Sequence, residues 1–446
     1  MAKIIIIGAG LTGLSTAYHL EKNKFDDFEI YEKENEVGGL CRSVKQDGFT
    51  FDYTGHLLHI NDIYFEKFIK NTISKENMNN IIRRSFIFSN NVYTKYPFQI
   101  NLKGLPTDII AECIEEYVNR KVEKEPKNFF DWTNSTFGKG FSKYFFIPFQ
   151  SKIFDYDIKN ISSSWTGRFV PKTSLKEMII GAIEDSNEAI GYNSSFYYPK
   201  ENGIQSWINN IEIKKEIKLE HDVEKINIKN KEILFKNGIV IKYDYLITTM
   251  PLDILLNKIN STKFDNAKKN LKCNSVINFN LGINRKELSD KHWIYFPESQ
   301  FPFYRIGFPH NFSENMVPKN CSSLYGEFSF VDKDQKYIKE KLDNSLSSIK
   351  KLLKIKNSEI LTEKTIFIKH AYVIYNLWRE KNLKKLLANL KENDIFSVGR
   401  YGEWKYSSMQ EAVLDGKNVV DSILIRPAKT TYEFETEFTK TQQLQK

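Results

Sequence analysis

The chain has 446 residues, 41% of them apolar, with 65 basic against 56 acidic side chains and a net charge of +9. That length suits two or three structural units, no apolar run approaches a membrane span, and no charged-then-apolar leader precedes the first apolar run. The lysines are scattered among asparagines and glutamates without a basic stripe interleaved with aromatics, which indicates a solvated surface and argues against nucleic acid.

A basic cleft for an anionic small molecule stays open. Cys41, Cys113, Cys273 and Cys321 lie far apart with no metal-ligand spacing, so free thiols, a cytoplasmic location and no metal centre are expected. Aromatic residues make up 14% of the chain. Most should pack the core, and Tyr and Trp also line sugar and ring-shaped ligands.

Residues 3–7 read as a buried parallel strand, Leu14–Leu20 has helical spacing, and "FEIYEK" (28–33) is a second strand ending in an acid. "FTFDYTGHLLHI" (49–60) looks like a strand followed by a tight glycine turn, and 62–190 reads mainly as helices. The stretch 216–250 alternates strand and turn, 276–330 is rich in short aromatic strands, and 332–355 is an amphipathic helix. Strand, glycine turn and helix return at 394–424, before a polar tail. The expected fold is α/β: a discontinuous Rossmann-like domain (1–61, 198–250 and 394–425) with two insertions. One is a mainly helical domain (62–197), the other an antiparallel-sheet substrate domain with a helix (251–393), and 426–446 is the tail.

Gly8, Gly10 and Gly13 form G-x-G-x-x-G directly after a strand and at the start of a helix. The first permits the turn, the second lets backbone N–H groups approach a pyrophosphate, and the third lets helix pack on strand. Glu32, 19 residues after Gly13, ends the second strand where it can accept hydrogen bonds from a ribose diol. Gly38 and Gly39 with Arg42 add a second glycine turn and a basic side chain, which suits FAD, the longer dinucleotide.

These features resemble the FAD-binding start shared by amine oxidases, protoporphyrinogen oxidases, phytoene desaturases and UDP-galactopyranose mutases, and "VGRYGEWKYSSMQEAVLDG" (398–416) is similar to the segment that closes over the flavin in that group. Between the two ends the chain looks most like a UDP-galactopyranose mutase of the eukaryotic type. "YPFQINLKGLP" (96–106) is similar to a uridine-holding segment, implying Tyr96, Phe98 and Gln99. The run 145–170 resembles the segment carrying a Trp and a diphosphate-binding Arg, here Trp165 and Arg168, with Gln150 also implied. "WIYFPESQFPFYRIGF" (293–308) supplies Tyr304 and a second such arginine, Arg305. "HAYVIYN" and "GEWKY" supply Tyr372 and Tyr406, which by resemblance reach the pyrophosphate. His56 stands beside the flavin in "TGHLLH". The resemblance also places cofactor contacts on Leu11, Thr12, Lys33, Leu40, Gly55, Val223, Gly399, Arg400, Ser408, Met409 and Gln410. The chain departs from the family pattern at Thr54, Gln150, Phe154 and Val373.

Some of this stands on the residues alone, since a diphosphate calls for fork-shaped cationic donors, which Arg supplies better than Lys. Each arginine could instead cap a helix or pair with a carboxylate, and His56, His59, Tyr372 and Tyr406 could be structural. The resemblance implies a mutase interconverting pyranose and furanose forms of a nucleotide-diphosphate sugar through an adduct on N5 of reduced FAD, in polysaccharide biosynthesis. NAD(P)H or another reductant and an oligomer are compatible with it. The alternatives are an FAD-dependent oxidoreductase acting on an amine, porphyrinogen or polyene, and a silent nucleotide-sugar binding scaffold.

Overall fold

Four consecutive isoleucines open the chain as the strand Ile4–Ile7, and all four are buried. In the computed structural model, which describes residues 2–167, 169–185, 194–259 and 261–424, this strand is the middle of a five-stranded parallel sheet. The strand order is Ile395–Ser397, Tyr245–Thr248, Ile4–Ile7, Phe28–Tyr31, Ile217–Lys218. A central strand covered on both sides has no use for alternation, which is why it reads as unbroken β-branched sequence. The sheet draws on widely separated parts of the chain. The helix Leu11–Lys22 packs along the C-terminal helix Met409–Leu424, joined by Ser15 Oγ donating to the Val413 carbonyl at 2.7 Å.

The second large sheet has seven strands, ordered Ile360–Ile368, Ser275–Ile283, Ser322–Phe330, Arg305–Gly307, Trp293–Tyr295, Ser85–Ser89, Val92–Lys95. All neighbours are antiparallel except Trp293–Tyr295 and Ser85–Ser89, which run parallel. Alternation decides its two faces. Ile277, Phe279, Leu281, Leu324, Phe328 and Phe330 form a core with Ile349 of the amphipathic helix Gln335–Leu352. Val276, Asn278, Asn280, Tyr325 and Glu327 therefore occupy the opposite face, where Val276 and Tyr325 border a cavity.

The stretch 62–190 was expected to be mainly helical, and its longest elements are, including Thr107–Val118, Phe129–Phe141 and Ile147–Phe154. It also supplies the hairpin Ser85–Ser89/Val92–Lys95, which extends the seven-stranded sheet. The signal is local: Asn90 and Asn91 turn the chain with φ of 52° and 60°, the geometry that a two-residue hairpin turn needs and Asn tolerates. The strand expected from 49 onward belongs to another hairpin, Ser43–Gln46/Phe49–Asp52.

Packing in the helical region is aromatic. Phe98 stacks on Phe145 and Phe145 on Phe149, with centroids 5.2 and 5.0 Å apart, and each such buried Phe contributes roughly 1.5–3 kcal/mol. The whole is a mixed α/β fold with a parallel and a mainly antiparallel sheet. No described helix is long and apolar enough to cross a membrane.

Candidate active site

A cavity of about 870 Å³ runs from the C-terminal end of the parallel sheet to the polar face of the seven-stranded sheet. At its first end, the opening strand stops at Ile7 and the chain turns at Gly8, whose φ of +101° favours glycine. A Cβ on Gly13 would lie 1.9 Å from the Gly8 carbonyl oxygen, so the helix sits directly on the turn. Leu11 and Thr12 at the start of that helix, and Ser408 and Met409 at the start of the C-terminal one, line the cavity. Two helix N-termini thus present their positive ends to one space, an arrangement that favours an anion.

Glu32 is buried at the cavity wall, with Oε2 accepting from the Ala9 N–H at 2.7 Å and Oε1 from the Glu34 N–H at 3.0 Å. The glycine turn itself thereby fixes the acid at this end of the cavity. The second glycine turn lies against the first, with the Gly38 N–H donating to the Ala9 carbonyl at 2.9 Å. Arg42 is anchored there by donating Nε–H to the Gly39 carbonyl at 2.8 Å and Nη1–H to Glu36 at 3.2 Å. Gly10, Lys33, Gly39, Leu40, Gly55, Val223 and Gly399 share the lining.

At the far end, Arg305 and Glu327 pair across adjacent strands, Nε to Oε2 at 2.8 Å and Nη2 to Oε1 at 2.9 Å. Glu327 is fully buried. Arg305 thus pairs with a carboxylate and also lines the cavity, leaving Nη1 as its donor for a ligand. Arg400 donates Nη1–H to the Ser407 carbonyl at 2.7 Å, and its guanidinium lies 5.3–5.9 Å from the ring centres of Tyr372, Tyr401 and Tyr406. Among the described residues no carboxylate pairs with it, and its buried Nε has no protein partner. His56 Nδ1 is likewise buried without one. Burial, then the charges of Arg400 and Arg305, pull that imidazole down to about 4, so it is neutral near pH 7. Burial raises the hydroxyl pKa of Tyr304, Tyr372 and Tyr406, which keeps all three as donors.

A dinucleotide flavin fits this set of residues. Two glycine turns and two helix N-termini suit a pyrophosphate, Glu32 suits a ribose, and the unmatched polar atoms of Arg400 and His56 call for a polar ring system.

Several expected contacts stand off the cavity wall. Gly13 serves packing, and Gln410 accepts from the N–H groups of Asn61 and Asp62 at 2.8 and 3.1 Å, tying down that loop. Tyr96 packs against Tyr295, and Phe98 is a core residue. Gln99 donates to the Pro171 carbonyl at 2.6 Å, and Gln150 is buried on the helix Ile147–Phe154. Trp165 stands behind Tyr406, their rings nearly parallel and 5.6 Å apart. Arg168 lies outside the described residues. Sequence reasoning missed Glu327, Tyr325 and Tyr401; for the first two, alternation in "SSLYGEFSF", which sets Tyr and Glu on one face, was the available signal.

The family model for flavin-containing amine oxidoreductases matches residues 11–424. The chain belongs to this family. As a flavin-containing amine oxidoreductase family member it is similar along most of its length to the crystal structure of reduced UDP-galactopyranose mutase, with 26% identity, a TM-score of 0.88 and coverage of 95% of this chain and 96% of that one. A putative protoporphyrinogen oxidase from Exiguobacterium sp. 255-15 shares the fold at 14% identity, with a TM-score of 0.74 over 95% of this chain and 98% of that one. The 4,4'-diapophytoene desaturase of Staphylococcus aureus (strain COL) is 41% identical over 66 residues, a match that spans 15% of this chain and 13% of the desaturase.

Proposed function

We propose that this protein is an FAD-dependent mutase that interconverts pyranose and furanose forms of a nucleotide-diphosphate sugar of the UDP-galactose type. The observation that carries the reading is the far end of the cavity, where a preoriented arginine, Arg305, meets Tyr304, Tyr372 and Tyr406. An amine or polyene substrate has no use for that combination, whereas a diphosphate leaving group does. Likeness to the reduced mutase over 95% of the chain supports it.

On this reading residues 1–61, 198–250 and 394–425 form the FAD-binding unit, and the two insertions close the substrate end. Bound reduced FAD supplies a nucleophilic ring nitrogen, N5, for the anomeric carbon. The chain's own work is placement and charge. The glycine turns and helix N-termini hold the cofactor pyrophosphate, and Glu32 takes the ribose hydroxyls. Arg305 and Arg168 receive the substrate diphosphate as negative charge grows on it, and Tyr372 and Tyr406 donate to its oxygens. His56, neutral, would border the flavin ring from the cavity wall. No side chain is required to take or give a proton at the sugar. The role is cytoplasmic, in polysaccharide biosynthesis, with NAD(P)H or another reductant upstream.

The test is turnover of UDP-galactopyranose by the flavin-loaded protein, anaerobically, with and without dithionite, followed by separation of the two ring forms. Furanose should appear only with the reduced protein. If no nucleotide sugar is converted while an amine or polyene rapidly bleaches the oxidised flavin, the family's oxidative chemistry replaces this reading.

A further inference from the structure

Arg379 lies on the helix Leu377–Lys391, is only 8% exposed, and does not border the cavity. Its guanidinium lies over the ring of Tyr375, 3.6 Å from the centroid, a close cation–π contact. Nε–H donates to the Trp404 carbonyl at 2.8 Å, and Nη1–H donates to Glu380 at 2.8 Å, which balances the charge. The Tyr375 hydroxyl in turn accepts from the Tyr406 N–H at 2.7 Å. The backbone from Trp404 to Tyr406 is therefore gripped at both ends by one stacked pair.

That backbone needs a grip. Trp404 is fully buried with φ of +52°, a left-handed conformation that a bulky side chain rarely adopts. The same stacked pair reaches the other side of Tyr406, because the Tyr375 carbonyl accepts from the Ser162 N–H at 2.7 Å. Three residues further along, Trp165 lies parallel to the Tyr406 ring. The segment that carries Trp165 is thus tied to the backbone of Tyr375, whose ring stacks with Arg379.

We infer that Arg379, through Tyr375 and the Trp404 carbonyl, is the positioning residue that sets Tyr406 against the cavity. The consequence for ligand binding rests on reading Tyr406 as a diphosphate contact, and the positioning itself does not.

The experiment uses the flavin-loaded full chain, with amide hydrogen exchange of residues 401–408 and calorimetric binding of UDP. Arg379→Met should raise exchange in that segment and weaken UDP binding about tenfold, equivalent to about 1.4 kcal/mol. Arg379→Lys, which keeps a donor for the Trp404 carbonyl but not the flat stack, should fall between. Arg379→Met combined with Tyr406→Phe should bind UDP no more weakly than Tyr406→Phe alone. Tyr375→Phe, which removes only the acceptor hydroxyl, should raise the same exchange and serves if Arg379→Met does not fold. Unchanged exchange at 401–408 overturns the inference, as do additive losses of UDP affinity, which would mean that Arg379 acts by another route. Raised exchange with UDP binding untouched in every variant upholds the positioning and overturns the substrate role of Tyr406.

Discussion

Arg305 and Glu327 occupy facing positions on adjacent strands, and both carboxylate oxygens are taken by the guanidinium. A cation on the wall of the cavity thereby keeps one orientation before any ligand arrives. The pair is close to neutral, whereas Arg400 has no carboxylate partner among the described residues. The two arginines therefore differ in character: Arg305 contributes directed donors and Arg400 contributes field.

Glu327→Ala should cost about 3 kcal/mol in stability, because it leaves a half-buried guanidinium without its carboxylate. Glu327→Gln, which keeps the shape and one acceptor, should cost less. Urea denaturation of the two variants checks the order. Equal stability of Glu327→Ala and wild type would mean that water already compensates Arg305.

Gly13→Ala should strip the flavin. The new methyl would sit 1.9 Å from a backbone oxygen of the very turn proposed to hold the pyrophosphate, and overpacking of this kind costs roughly 1–3 kcal/mol. The ratio of flavin to protein absorbance in the purified variant is the readout, with a clear drop below wild type expected. Full flavin content would show that the helix can move off the turn without harm.

The glycine-turn end of the cavity was legible because its geometry is local. Gly8, Gly10, Gly13 and Glu32 sit within one βαβ unit, where spacing alone implies geometry. The substrate end is assembled from strands far apart in sequence, so the partner of Arg305 could not be read off. "SVINFN" and "SSLYGEFSF" do alternate, yet alternation tells which residues share a face and not which strands are neighbours. Gln99 and Trp165 show the converse: a motif carried them by resemblance, while in the fold one bonds to a backbone carbonyl and the other stacks behind Tyr406. Arg379 gave no signal, since a lone arginine on an amphipathic helix reads as solvated surface.

Asp52 should make stability fall as pH rises. Burial pushes its carboxyl up from 3.8 to about 6, against the hydrogen bonds from Ser43, Tyr198 and the Ile204 N–H that favour its charged form. A raised folded pKa contributes stability that is complete below the unfolded value and lost as pH climbs through about 6. Asp52→Asn removes the titration. The stability of wild type minus that of the variant should drop by about 2 kcal/mol between pH 4 and 7. A difference that stays flat across that range would show that Asp52 is ionised throughout.

Lys152 should act in the opposite sense. It is half-buried between the helix Ile147–Phe154 and the strand edge beyond Tyr295, donating to the carbonyls of Phe296 at 2.6 Å and Glu298 at 3.0 Å. Burial, then the charge of Lys341, brings its ammonium down from 10.5 to about 7. A depressed folded pKa means stability that is present above the unfolded value and lost as pH falls through about 7. Lys152→Met fills the same space without a charge to desolvate. Two carbonyls lose their donor, a cost that is independent of pH, so the comparison between pH values isolates the titration. Relative to wild type, the variant should gain about 3 kcal/mol between pH 9.5 and 6.5, measured by urea denaturation at each pH. If the gain is absent, the ammonium is solvated in the folded protein and the contact between helix and strand edge is looser than the two hydrogen bonds indicate.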